Sequence, residues 1–401
     1  MAGTGVFAAL EAPEPDPIIR LMGAFAADPR PHRIDLGVGV YRDAAGRTPV
    51  MAAVAAAEAR ILAVQQSKGY LGLAGDPAYL EAMRGLLLAD SAAPERMAAV
   101  ATPGGSGAIR QLLELVRMVA PAATVWLSRP SWPNHAAIAE QVGLRVALHR
   151  WLDRTGLLDM AAVLEDLAAA RPGDVLVLQA SCHNPTGADP GPEGWAALAD
   201  LAARRGLLPL VDVAYQGFAE GVAADVAGLQ ALAARLPELL VAASGSKSFG
   251  LYRERVGLAM ALCDGAGAAG RVQAALASLN RKNFAFPPDH GARVVTTILE
   301  DPVLRADWET ELDAMRHRIA ANRGALAAAL RTATNGGRFD FLQRQRGMFS
   351  VLGLGPAQVE ALRQDHAVYL VGDSRANLAG LTPETVPLVA EAVAAVLRAP
   401  M

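Results

Sequence analysis

The sequence predicts an α/β protein, with a large domain built on a mainly parallel sheet flanked by helices and a smaller α+β domain beside it. Three observations lead there. Short apolar runs at about residues 145–149, 174–180, 207–213, 239–243 and 256–263 alternate with helical stretches, clearest at 159–170 and 193–205. Strands that alternate with helices are joined by crossovers, so they line up parallel with helices on both faces. Several of these runs end abruptly in polar residues, where an open α/β sheet presents its ligands. The length of 401 residues is enough for two domains with a large core.

Taken in order, residues 1–12 read as an N-terminal arm, 13–45 as the first part of the small domain, 46–312 as the large domain and 313–401 as the rest of the small one. The apolar stretch 22–27 reads as a short helix. Ile34-Asp35-Leu36-Gly37-Val38-Gly39-Val40-Tyr41 is strand-like, with glycines that let the backbone approach something closely. Thr48-Pro49 opens a helix to about residue 65, with Pro near its first turn. Thr102-Pro103-Gly104-Gly105-Ser106-Gly107 precedes an apolar helix to about residue 119, and glycines at a helix N-terminus offer backbone N–H groups to an anion. Residues 125–127 read as a strand that runs into Arg129-Pro130-Ser131-Trp132-Pro133-Asn134-His135. Residues 301–331 read as long helix leaving the large domain; in the small domain, 339–342, 347–352 and 368–371 look like strands and 356–365 and 383–397 like helices.

Three stretches carry the chemistry. Ser244-Gly245-Ser246-Lys247 follows the buried-strand run 239–243. A lysine amine there can form a Schiff base with a carbonyl compound, while Ser244, Ser246 and Arg255 can hold a phosphate. His183-Asn184-Pro185-Thr186-Gly187 and Asp212-Val213-Ala214-Tyr215-Gln216-Gly217 likewise follow apolar strands. In this order the motifs resemble one family from about residue 16 to the C-terminus: the fold-type I, pyridoxal-phosphate-dependent aminotransferases of the aspartate/aromatic subgroup. Within it, Asn280-Arg281-Lys282-Asn283-Phe284-Ala285-Phe286-Pro287-Pro288 and Val371-Gly372-Asp373-Ser374-Arg375 look most like the bacterial aromatic enzymes.

The resemblance implies pyridoxal 5'-phosphate as cofactor and a role for each matching residue. Lys247 is the covalent amine and the proton carrier, and Asp212 keeps the pyridine nitrogen protonated. Asn184 and Tyr215 hydrogen-bond the ring hydroxyl, and Trp132 stacks on the ring. Gly105, Ser106, Ser244, Ser246 and Arg255 anchor the phosphate, joined by Tyr70 of the other subunit. For the substrate, the segment of Gly39 lines the pocket, with Trp132 and Asn184 beside it. Arg375 binds the α-carboxylate, and Arg281 pairs with a distal carboxylate across the subunit boundary. His135 reads either as a support behind Asp212 or as an ordinary buried histidine. Gln179 stands where many relatives have His, and Gly245 where many have a bulkier residue.

The implied protein is a homodimer with shared sites, acting on amino acids and 2-oxo acids. It would pass the amino group of Phe, Tyr or Trp, and of Asp or Glu, to 2-oxoglutarate; aspartate transaminase, yielding oxaloacetate and glutamate, is the alternative. The net charge of −3 gives no electrostatic case for nucleic acid or a membrane surface. Two cysteines, Cys182 and Cys263, form neither a disulfide framework nor a metal spacing, which fits a reduced, cytoplasmic setting without a metal. No uncharged run approaches the roughly 20 residues that span a bilayer. Gly265-Ala266-Gly267-Ala268-Ala269-Gly270 matches a dinucleotide fingerprint in letters, but no convincing βαβ unit follows it.

Overall fold

A computed structural model describes residues 6–11 and 16–399. Its strands are β1 (Ile34–Asp35), β2 (Met97–Pro103), β3 (Thr124–Arg129), β4 (Arg145–Arg150), β5 (Val175–Gln179), β6 (Leu208–Val213), β7 (Leu239–Ser244), β8 (Val256–Leu262), β9 (Phe349–Val351), β10 (Val368–Tyr369) and β11 (Arg375–Asn377). Seven of them form one sheet in the order β2-β8-β7-β6-β5-β3-β4. β8 runs antiparallel to both its neighbours and the other pairs are parallel.

Both faces of this sheet are covered, so the central strands are apolar at every position rather than at alternate ones. Along β5, Leu176 and Leu178 enter one core with Val211, Val241 and Trp308. Val175 and Val177 enter the opposite core with Leu210, Leu240, Ile109 and Leu112. That two-sided burial forces the polar residues to the strand ends. Gln179 closes β5, and it is in register with Asp212 of β6; Ser244 closes β7, in register with Gly257 of β8.

A further apolar core joins Ile34 and Leu36 to Leu326, Leu330, Leu362, Val389 and Val393. Beside it β1 pairs in parallel with β10, and β9 antiparallel with β11. The 33-residue helix Pro302–Thr334 links the two regions, burying Leu304, Trp308 and Leu312 at one end and Leu326 and Leu330 at the other. Its length is about 50 Å at the usual helical rise. Asp301 caps it, accepting from the N–H groups of Val303 and Leu304, each at 2.9 Å.

Several expectations need correction. Residues 339–342 are not a strand: Asp340–Gln343 is a 3₁₀ turn, with Phe339 and Leu342 buried three residues apart and Asp340 paired to Arg331. The strand-like segment 34–41 pairs only at Ile34–Asp35, because Asp35 Oδ1 then accepts from the Gly37 N–H at 3.0 Å and turns the chain. The helix expected from residue 48 starts at Ala52. The short helix expected at 22–27 runs over Pro17–Ala27, capped by Asp16. β2 was not expected; it is an Ala-rich strand at the sheet edge, without the β-branched signature of its neighbours, and runs straight into a helix. Of the arm, Val6–Ala9 is a 3₁₀ turn, and residues 1–5 and 12 lie outside the described residues. The glycine motif at 265–270 enters the helix Ala266–Asn283 from β8, an antiparallel strand, which excludes a parallel nucleotide-binding crossover there.

One close approach sets the sheet against the helix Gly104–Val119. A Cβ on Gly257 would lie 2.3 Å from the backbone of Gly104, so only glycine lets that helix start where it does. Gly257→Ala is therefore expected to cost about 1–3 kcal/mol of folding stability, as overpacking does. Urea unfolding followed by circular dichroism reads this as a lower midpoint at unchanged slope. An unchanged midpoint would show that the helix start can yield.

Candidate active site

The cavity lies at the carboxyl ends of β5, β6 and β7 and is lined by Gly39, Gly105, Ser106, Trp132, Asn184, Asp212, Tyr215, Ser244, Ser246, Lys247, Arg255 and Arg375. Of the residues expected to touch cofactor or substrate, all but two line this cavity. Asp212 is the one carboxylate among the lining residues, against Lys247, Arg255 and Arg375. An excess of cations in a concave, partly desolvated site favours anionic ligands.

One end of the cavity is a phosphate-sized cradle. The helix Gly104–Val119 begins at a glycine with φ +72°, so the first N–H groups, near Gly105 and Ser106, open towards the cavity. Ser246 N–H donates to Ser244 Oγ at 3.2 Å. Arg255 Nη1 donates to Ser246 Oγ at 3.4 Å and to the Tyr252 carbonyl at 3.0 Å. A side chain on Gly104 would run into the Arg255 guanidinium, 2.5 Å from where its Cβ would stand.

The floor is Lys247 and Asp212. Burial pushes the Lys247 amine below the usual lysine range; Arg255 and Arg375 push the same way and Asp212 opposes them. Its Nζ sits 5.0 Å from the centroid of the Tyr215 ring. Burial likewise raises the Tyr215 phenol, keeping it protonated near neutrality. Asp212 is buried, with Oδ2 3.0 Å from His135 Nε2, while His135 Nδ1 lies 3.1 Å from Ser131 Oγ. His135 also meets the Trp132 ring edge-on at 5.2 Å. Thus His135, left open by the sequence, both contacts the carboxylate and packs the ring that covers the cavity.

The far end is Arg375 on β11. Its side chain is buried, with the guanidinium 4.7 Å from the Phe349 ring and Nη1 donating to Asn184 Oδ1 at 3.2 Å. Nε has no hydrogen-bond partner, and among the described residues no carboxylate pairs with Arg375. A buried guanidinium in that condition is a docking point for an external carboxylate. Gly39 faces it: a Cβ there would stand 3.1 Å from Phe349 Cζ, and Asn377 Nδ2 fixes the glycine segment by donating to the Val38 and Val40 carbonyls at 2.6 and 2.8 Å.

Tyr70 and Arg281 do not line this cavity. Tyr70 is 85% exposed and stacks on Phe286 at 4.6 Å, with the Arg281 guanidinium 5.9 Å from the same ring. Sequence reasoning missed Tyr252 and Phe349 as lining residues. Tyr252 sits between Lys247 and Arg255, and its hydroxyl accepts from the Tyr41 N–H at 2.9 Å; burial raises its phenol to about 12. Its place inside the lysine motif was the available signal. Phe349 arrives on β9 from a distant part of the chain and had none. Gln179, noted only as a departure, joins the lining as well. Gly245 has its missing Cβ 3.2 Å from the Val256 side chain, leaving little room for anything larger.

Comparison with known proteins gives the same picture from outside. The family model "Aminotransferase class I and II" matches residues 31–393. The aromatic-amino-acid aminotransferase of Paracoccus denitrificans is 48% identical over 385 residues, covering 96% of this chain and 98% of the relative. The aspartate aminotransferase of Salmonella typhi is 42% identical over 396 residues, covering 98% and 100%. A crystal structure of the aromatic-amino-acid aminotransferase from Burkholderia pseudomallei, covalently bound to pyridoxal phosphate, superposes with a TM-score of 0.95 at 39% identity, covering 98% of this chain and 100% of that one. With the match running across nearly its whole length, the chain belongs to the class I and II aminotransferases, enzymes that depend on pyridoxal phosphate.

Proposed function

We propose that the cavity takes pyridoxal 5'-phosphate and that the enzyme moves the amino group of Phe, Tyr or Trp, and of Asp or Glu, to 2-oxoglutarate. The observation that carries this reading is one cavity containing a buried amine, a His-backed carboxylate and an unpaired buried guanidinium. The residues fit the cofactor: the helix N-terminus with Ser106, Ser244, Ser246 and Arg255 suits its phosphate, and Trp132 covers the space between cradle and floor. Bound there, the cofactor would supply an electrophilic carbonyl and a pyridinium ring that accepts the electron pair released at the substrate Cα.

The chain's own residues do the rest. Lys247, held unprotonated more readily than a free lysine, is the amine for the carbonyl; once displaced it takes and returns the Cα proton. Asp212, oriented by His135, keeps a proton on the ring nitrogen. Tyr215 and Asn184 donate to the ring hydroxyl oxygen. Arg375 clamps the α-carboxylate common to every substrate. The two halves run in sequence, the amine being left with the enzyme by the first substrate and collected by the second.

The same reading makes the enzyme a homodimer that shares its sites. Its support is the cluster of Tyr70, Phe286 and Arg281: Tyr70 and Arg281 are exposed, and none of the three lines this chain's own cavity. Arg281 would pair with a distal carboxylate of the partner's substrate, and Phe284 and Phe286 would offer apolar surface to a ring. The separate core of Ile34, Leu36 and residues 326–396 supports residues 13–45 and 313–401 as the small domain, apart from 46–312. Among the described residues no helix is long and apolar enough to cross a membrane. The two buried free thiols fit a reduced cytoplasmic setting.

Three outcomes test these assignments. Borohydride fixation followed by peptide mass spectrometry should place the cofactor on Lys247. In the cofactor-free protein, where Lys247 is a free amine, burial lowers its pKa and Asp212 raises it, so Asp212→Asn should lower it further; a borohydride label on another lysine sinks the assignment. In single-turnover absorbance measurements Asp212→Asn should also slow the first half-reaction by roughly a hundredfold or more, and near-parental rates would remove Asp212 from its role. Arg281→Leu should lower kcat/KM for aspartate and glutamate by orders of magnitude while phenylalanine and tyrosine keep most of theirs, since only the acidic substrates lose a charge partner; a fully buried pair would cost about 3–5 kcal/mol and partial exposure reduces that. Arg375→Leu should damage all four alike. Equal losses on acidic and aromatic substrates in Arg281→Leu would leave the aspartate-specific alternative and the dual reading both without their arginine.

A further inference from the structure

Asn184 sits in a loop between β5 and the helix Pro192–Arg205, yet its side chain has to meet Arg375 and the cavity at a fixed angle. Most of that loop is pinned by other groups. Asp189 accepts from the N–H groups of Cys182 and His183 at 2.7 and 2.8 Å, and the Gly187 N–H donates to the His183 carbonyl at 2.6 Å. None of these bonds holds Asn184 itself. Its main-chain groups are taken by one side chain, Gln179: Oε1 accepts from the Asn184 N–H at 2.8 Å, and Nε2 donates to the Asn184 carbonyl at 3.1 Å. Among the described residues no other hydrogen bond reaches either group.

The pairing copies a strand ladder with a carboxamide in place of a peptide. Gln179 closes β5, a fully buried strand, and both it and Asn184 are 6% exposed, so these bonds are shielded from water. Buried polar groups left unpaired are costly, which makes this two-point hold stiff. It fixes the Asn184 side chain in turn: Oδ1 accepts from Arg375 Nη1 at 3.2 Å, so Nδ2 is the group left to donate to a ligand oxygen. Gln179 also stands in register with Asp212 on the adjacent strand, so its side chain leaves the sheet on the same face as that carboxylate. Glutamine supplies one donor and one acceptor here and carries no charge at any working pH.

We propose that Gln179 is a positioning residue that sets the angle of Asn184, and through it both the donor to the cofactor's ring oxygen and the seat of Arg375. This rests on the cofactor reading above. Gln179 takes no proton in the reaction, so its effect appears in the protonation of the bound cofactor and in substrate binding.

The test uses Gln179→Met, which keeps the length and removes both bonds, and Gln179→Glu, which keeps the acceptor but loses the donor. With the Nδ2 donor misplaced, the cofactor's ring oxygen becomes more basic, so the pH midpoint of the loaded enzyme's visible absorbance change should rise by about one unit. KM for the oxo acid should rise roughly tenfold, the effect of one loosened hydrogen bond to a charged group, with kcat changed less. Added to Asn184→Ala, Gln179→Met should shift the midpoint little further, because the two act through one group. Parental midpoint and KM in both variants, or full additivity with Asn184→Ala, would overturn the proposal. If Gln179→Met does not fold, Gln179→Glu decides by the same readings. A parent without cofactor on Lys247 would sink the functional reading and this inference together; a loaded parent with unshifted variants sinks the inference alone.

Discussion

A buried guanidinium holds the cavity wall in place. Arg323, 3% exposed near the middle of the long helix, donates to the carbonyls of Leu342, Arg346, Gly347 and Phe349 and to Ser350 Oγ. Burial lowers it to about 10, still protonated at neutral pH. Among the described residues no carboxylate forms an ion pair with it, although the Asp189 charge acts on it; main-chain carbonyls accept most of its hydrogen bonds. The segment it gathers carries Phe349, the ring on which Arg375 rests, and the Arg346 N–H donates to Gly187, within the loop of Asn184, at 2.7 Å. Gly187, at φ +68°, has no room for a Cβ, which would meet the Arg346 carbonyl at 2.5 Å. Remove that cation and Phe349, Arg375 and the Asn184 loop lose a common support. Losing one member of such a buried polar network is typically worth several times a surface contact.

The sheet was legible because its strands are buried on both faces. Continuous apolar runs such as Val175-Leu176-Val177-Leu178 and Leu239-Leu240-Val241-Ala242-Ala243 stand out from the Ala-rich helices around them. The site was legible for a related reason: polar residues excluded from these runs collect at or just past their ends, so Asp212 is the penultimate residue of its strand and Asn184 and Lys247 lie a few residues beyond theirs. The smaller elements were harder. β9, β10 and β11 are two or three residues long and exist through partners far along the chain. At 339–342 an alternating Phe-Asp-Phe-Leu pattern imitates a strand, while Arg331 holding Asp340 favours a tight turn. Phe349 and Arg323 act through tertiary contacts alone, and no local spacing marks them.

Charge placement in the cavity follows from the same layout. Three cations reach it from different elements, Lys247 after β7, Arg255 before β8 and Arg375 on β11, and all converge on a space with a single carboxylate. Burial together with that asymmetry lowers the lysine, and among the described residues Arg375 has no carboxylate partner, a combination that suits an anionic cofactor and anionic substrates more than it suits the empty chain. Binding of either anion relieves repulsion already present among the three cations.

The core around Ile34 and Leu36 has a consequence for how the chain is made. β1 and β10 pair Ile34 with Val368, so a strand near the start of the polypeptide finds its partner only near the end. On a ribosome, Ile34 and Leu36 emerge early and stay without their native neighbours while the large sheet can already fold, a wait of some tens of seconds at about 5–20 residues per second. Closing so long a loop adds little entropy cost once the sheet brings its ends near. The early apolar segment is nonetheless open to chaperones or to neighbouring nascent chains during that interval. Truncation near the C-terminus would thus leave a folded sheet bearing an orphaned N-terminal hydrophobic segment, rather than a uniformly unfolded protein.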